Sequence, residues 1–197
     1  MQRFLALFFL ALTFFSCRPE SYTPKPRGYA RVIFPEKKYK RYQEQGFPYQ
    51  FEIPVYANVV KDTTFFGKKP ENPYWINIHF PSLGGQIYLS YKTISAAQPL
   101  SKLIEDTHEM SFTVHSKRAD YIDEQAFQLE RKVYGIIFNV GGNAASSYQF
   151  IATDSVHHFL RGALYFDVTP NADSLRPINN FLKKDLEHLL QTLTWRN

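Results

Sequence analysis

The stretch GGNAASSYQFIATDSVHHFLRGALYF, from Gly141 to Phe166, gathers side chains that often do chemistry: paired glycines, serines, an Asp-Ser step, two histidines and one arginine. A serine hydrolase needs its nucleophile on a sharp turn with a base in hydrogen-bond reach. No Gly-x-Ser-x-Gly occurs here, and Ser155 lies two residues from His157, a spacing that places side chains on one side of a strand without orienting them. Nor do the glycines fit a nucleotide, because GGNAASS has no lysine and lies between strands rather than before a helix. A hairpin that needs positive φ explains Gly141 and Gly142 better, with Asn143 assisting. The six histidines, His79, His108, His115, His157, His158 and His188, form no His-Glu-x-x-His and no i, i+4 pair. Glu105 and His108 share a helix face, as surface pairs commonly do. The chain is therefore expected to hold no metal and no cofactor and to be no enzyme.

Arg161 stands out from this list. In HFLRGALYF, alternation puts Phe159, Arg161, Ala163 and Tyr165 on one face and His158, Leu160, Gly162, Leu164 and Phe166 on the other. A guanidinium in so apolar a strand suits a partner interface, where its planar fork grips carboxylates or carbonyls. The competing roles are an internal ion pair with Asp154 or Asp167, or a solvated edge position. The expected partner-binding patch is Arg161 with whichever of Asn143, Ser147 and His157 shares its face. The rival expectation is a pocket in which Ser146 or Ser147, His157 or His158, and Arg161 converge, as in a peptide- or glycan-binding module or a cryptic hydrolase.

These side chains must be carried by strands and two helices. YQFEIPVYANVV reads as a strand that Pro54 confines to an edge or breaks in two. YWINIHF and QIYLSYKTI alternate on either side of PSLGG, so they predict a hairpin turning at Gly84 and Gly85. From Pro99 the period changes, with Leu100, Leu103, Ile104, Thr107 and Met110 or Ser111 on one helical face. YIDEQAFQLE, VYGIIFNV, SSYQFIAT and HHFLRGALYFDV predict four further strands. A closing helix carries Ile178, Phe181, Leu182, Leu186, Leu189, Leu190 and Leu193 as its apolar stripe, with Asp173 or Ser174 as cap. The order predicts an α+β fold: an antiparallel sheet of about six strands with helices packed on it.

The N-terminus has a different character. After Arg3, FLALFFLALTFF is too short to span a bilayer as a stable helix and has the length of a signal-peptide core. Ser16 and then Cys17, the only cysteine, follow it. That placement marks Cys17 as the acceptor of a diacyl anchor, although LTFFS puts phenylalanine where a small residue often stands. The expected organisation is a lipoprotein signal at 1–16, a lipid-anchored basic tether at 17–33 and a single globular domain at 34–197. From Cys17 to Arg41 eight basic residues face only Glu20 and Glu36, while the rest of the mature chain is close to neutral. The globular part thus offers no cationic face for nucleic acid, whereas the basic arm suits anionic headgroups beside a lipid anchor.

In order along the chain, the lipoprotein start, YTPKPRGYARVIFPEKKY, FPYQFEIPVYA, YWINIHFPSLGGQIYLSYK, LIEDTHEM, GNAASSYQF, TDS, HFLRGALYF and PNADSLRP resemble the gliding-motility lipoprotein GldD family. The resemblance implies an envelope lipoprotein needed for gliding, linked to the type IX secretion machinery, with other proteins of that machinery as partners and no catalytic residues. The expected location is the outer membrane facing the periplasm, and Arg18 follows Cys17 where an aspartate is associated with inner-membrane retention in some bacteria. Phe47 and Tyr74 stand where some relatives are expected to carry cysteine, so a disulfide or thiol role is absent there. The order of strands and helices, with Trp195 at the end, is also similar to the PsbP and Mog1-like α/β/α sandwich.

Overall fold

A computed structural model describes residues 31–62, 69–115 and 117–196. The signal at 1–16, Cys17 and the tether as far as residue 30 lie outside the described residues. The described residues fold into ten strands and two helices, in the order β1 (Tyr39–Tyr42), β2 (Tyr49–Pro54), β3 (Asn58–Lys61), β4 (Ile76–Phe80), β5 (Gly85–Thr93), α1 (Leu100–His115), β6 (Ala119–Leu129), β7 (Val133–Gly142), β8 (Tyr148–Thr153), β9 (His158–Phe166), α2 (Ala172–Thr192) and β10 (Thr194–Trp195). Seven strands form one sheet in the order β3-β4-β5-β9-β8-β7-β6, and β1-β2-β10 form a smaller one. Every pairing is antiparallel.

The predicted break at Pro54 is real: β2 ends on it and β3 starts four residues later in the other sheet. The β4–β5 hairpin also forms, but only Gly84 takes positive φ (60°). Gly85 is already in the strand, where an added Cβ would lie 3.0 Å from Leu182 Cδ1. The main sheet exceeds the expected six strands, and the small sheet was not foreseen.

A helix packs on each face of the main sheet. Leu182, Leu186, Leu189 and Leu190 of α2 join the larger core with Ile78, Ile87, Leu89, Phe150, Leu160 and Leu164, and β2 closes it with Tyr49, Phe51 and Ile53. On the opposite face, Leu103 of α1 packs with Phe138, Ile151 and Phe159. The buried stripe of α1 continues through Thr107 and Ser111 and leaves Met110 40% exposed, which resolves the alternative left by the periodicity. Phe47 and Tyr74 meet edge to face at 5.3 Å at the edge of the larger core.

The cap of α2 differs from expectation. Asn171, with extended φ and ψ, accepts from the Ser174 N–H at 3.0 Å, one turn before the helix that Asp173 or Ser174 would have started. The segment before β1 then runs along the outside of this helix. Phe34 stacks on Phe181 at 4.6 Å, and Tyr39 stacks on His188 at 3.6 Å. Between them the Lys37 ammonium donates to Asp185 Oδ1 at 2.5 Å and to the Phe181 carbonyl at 2.8 Å. Tyr39 and Tyr56 hydroxyls also donate to Asp185, whose side chain is 1% exposed.

Candidate functional site

Arg161 lies on the α1 face of the sheet, as its alternation requires. Its Nη2 donates to Gln149 Oε1 at 2.7 Å, and Ser111 of α1 donates to the same oxygen at 3.1 Å. Among the described residues no ion pair includes Arg161, so neither the pair with Asp154 nor that with Asp167 forms. Its Nε and the Gln149 Nε2 are buried with no acceptor. Burial pulls the guanidinium below its ordinary value, and Tyr165 opposes that pull. Beside it opens a cleft of about 330 Å³ between α1 and the sheet, lined by Trp75, Lys92, Leu103, Met110, Phe159 and Arg161 among others.

Asn143 and Ser147 are elsewhere, bound to the helix on the opposite face. Asn143 Oδ1 accepts from the Ala172 N–H at 2.8 Å, and Ser147 Oγ accepts from Asn179 Nδ2 at 3.1 Å. Both residues secure the start of α2 to the β7–β8 connection. Gly142 there takes the expected positive φ (83°), whereas Gly141 is close-packed: an added Cβ would lie 2.2 Å from the Tyr121 ring. Ser146 is fully buried and donates to the Tyr148 carbonyl at 3.2 Å.

His157 occupies a third location, the β8–β9 turn, with its side chain 69% exposed. Asp154 makes that turn by accepting from the N–H groups of Val156, His157 and His158 at 2.8–2.9 Å. Burial pushes its carboxyl up, but the three donors outweigh this and hold it below its usual range. Ser155 takes positive φ (67°) in the same turn. His158 is buried, with Nδ1 2.8 Å from the Tyr91 hydroxyl and its ring stacked on Trp195 at 5.0 Å. The convergent pocket of serine, histidine and Arg161 is thus not formed. Arg161 is on one face, Ser147 and His158 are on the other, and His157 is at a turn.

Burial holds His158 below its ordinary value of 6.5, with His157 acting in the same direction and Asp154 against both. Such a depressed histidine binds fewer protons in the folded state than in the unfolded one, so its contribution is complete above about pH 6.5 and is lost as pH falls below it. Melting followed from pH 7.5 to 5 should fall more steeply in the wild type than in His158→Gln; equal slopes would refute this. Asp154 adds its own loss only in the carboxylate range, so the two windows separate.

The residues that sequence reasoning missed are Lys37, Tyr39 and Tyr56 around Asp185, and Gln149 and Ser111 around Arg161. Among the described residues no group of three or more His, Cys, Asp or Glu side chains is placed to hold a metal ion.

No curated protein matches the chain. Among solved structures, the solution structure of cyanobacterial PsbP (CyanoP) from Synechocystis sp. PCC 6803 is similar at 12% identity with a TM-score of 0.49, over 86% of this chain and 98% of that one. The family model for the gliding motility lipoprotein GldD matches residues 19–195, nearly the whole chain beyond Cys17, and the protein belongs to that family of gliding-motility lipoproteins.

Proposed function

We propose that this protein is a non-enzymatic assembly or stabilising component of the gliding and type IX secretion machinery. A diacylated Cys17 holds it at the outer membrane facing the periplasm, where its domain docks other envelope proteins of that machinery. The observation that carries this reading is the family match, which begins at residue 19, two residues after the candidate lipidation site. The use of Asn143, Ser146, Ser147 and His158 in structural bonds supports docking over catalysis. The basic arm adds contact with anionic lipid at about 1 kcal/mol per residue near the surface. Lys37 and Lys38 have less to offer there, because they pair with Asp185 and Glu36.

Cys17→Ala is expected to release the protein from the membrane fraction and to stop or severely impair gliding. Residual sedimentation of that variant with anionic vesicles, abolished by high salt, is the part due to the arm. Normal fractionation and normal gliding would sink the anchoring proposal.

A further inference from the structure

The cleft beside Arg161 carries a reading that does not depend on which machinery the domain joins. Its volume of about 330 Å³ falls at the lower end of the range for ligand pockets, about 300–1,000 Å³. Trp75, Leu103, Met110 and Phe159 give it apolar walls. Arg161 pairs with Ser90 and Phe159 with Lys92 across β5 and β9, so Lys92 and Arg161 are diagonal neighbours on one face. Lys92 lies 3.2 Å from Glu71, near the surface. Among the described residues Arg161 makes no ion pair of that kind: Gln149 accepts from its Nη2, Tyr165 interacts with the guanidinium, and its Nε is buried without an acceptor. A cation largely withdrawn from water without an ion-pair partner is costly, and a carboxylate bound in the cleft would offset that cost through its charge, the enclosed Nε itself being out of its reach.

The lining also limits what else the ligand can carry. Asp106, which pairs with Lys102 at 3.5 Å, and Glu109 of α1 line the same cleft and equal Lys92 and Arg161 in number, so a ligand carrying more than one negative charge would be repelled. Backbone N–H groups next to a terminal carboxylate would find acceptors in these two side chains, which a simple aliphatic acid could not use. We propose that the cleft binds the C-terminal end of a partner polypeptide, its terminal carboxylate on Arg161 and Lys92 and an apolar last side chain between Trp75, Met110 and Phe159.

Calorimetric titration of the full-length protein in detergent tests this with the peptide Ala-Gly-Ala-Leu, its C-terminal amide, and hexanoate. The free-acid peptide should bind, and the amide at least about tenfold more weakly, as expected for losing a charge-assisted contact. Arg161→Gln should abolish binding. Because Arg161 also holds Gln149, Met110→Glu provides an independent arm: it adds a negative charge on the partly exposed lining residue and should weaken binding about tenfold or more while leaving that network in place. Equal binding of acid and amide, no binding at millimolar peptide, or unchanged affinity in Met110→Glu would each overturn the proposal. Hexanoate binding as tightly as the peptide would overturn the polypeptide as occupant.

Discussion

Asp185→Ala is expected to lower the melting temperature by about 6–12 °C, equivalent to about 3 kcal/mol in a domain of this size. The carboxylate is 1% exposed and accepts from Lys37, Tyr39 and Tyr56, so its removal leaves three donors around a cavity. Burial holds the Lys37 ammonium below its ordinary value against the pull of Asp185, so without that carboxylate the charge is poorly compensated. The Phe181 carbonyl and ring, whose centroid is 3.6 Å from Nζ, remain as its contacts. Melting by circular dichroism measures the loss. Tryptic cutting at Lys38, Lys40 and Arg41 should also accelerate, because the segment loses its central attachment to α2. Asp185→Leu combined with Lys37→Met should recover part of the stability, since an apolar pair leaves no isolated charge. Unchanged melting and unchanged proteolysis in Asp185→Ala would show that the pair secures nothing.

Gly162→Val should cost about 3 kcal/mol, at the upper end of ordinary overpacking. Gly162 faces Phe150 on β8 and Leu89 on β5, and both side chains close over the space a side chain would take. An added Cβ would lie 2.1 Å from Phe150 Cε1 and 2.9 Å from Leu89 Cδ2. Phe150 and Leu89 are themselves buried to 0% and 2% exposure, so neither can move aside cheaply. The milder Gly162→Ala paired with Phe150→Leu should recover stability relative to Gly162→Ala alone. Strict additivity in denaturant titrations of that cycle would argue against the contact.

Much of the fold was legible where a period persisted for a whole element. The alternation of β4, β5 and β9 and the leucine stripe of α2 were each written in one stretch, and each took the predicted face. β1 escaped notice because YKRY has no apolar alternation, and β10 because it has two residues. Asp185 interrupts the α2 stripe with a charge, which reads locally as a solvated position. Its partner Lys37 is 148 residues away, so no window along the chain could pair them. The candidate site fared similarly. The face of Arg161 followed from β9 alone, but Asn143 and Ser147 sit in a connection whose side is set by α2, and the turn at Asp154 carried His157 away from both.

The seam between the N-terminal segment and α2 has a mechanical meaning for a protein of a motility apparatus. Phe34, Lys37 and Tyr39 engage Phe181, Asp185 and His188, which succeed one another along one side of the helix, and Tyr39 also begins the β1–β2 ladder. Tension applied to the chain ahead of Phe34 therefore enters through a stacked ring, an ion pair and a second stacked ring before it reaches the ladder. Pulled along its length, such a lap joint loads these contacts together in shear rather than peeling them one by one. The domain would then hold its shape under a drag that would unravel a chain joined to it at a single point.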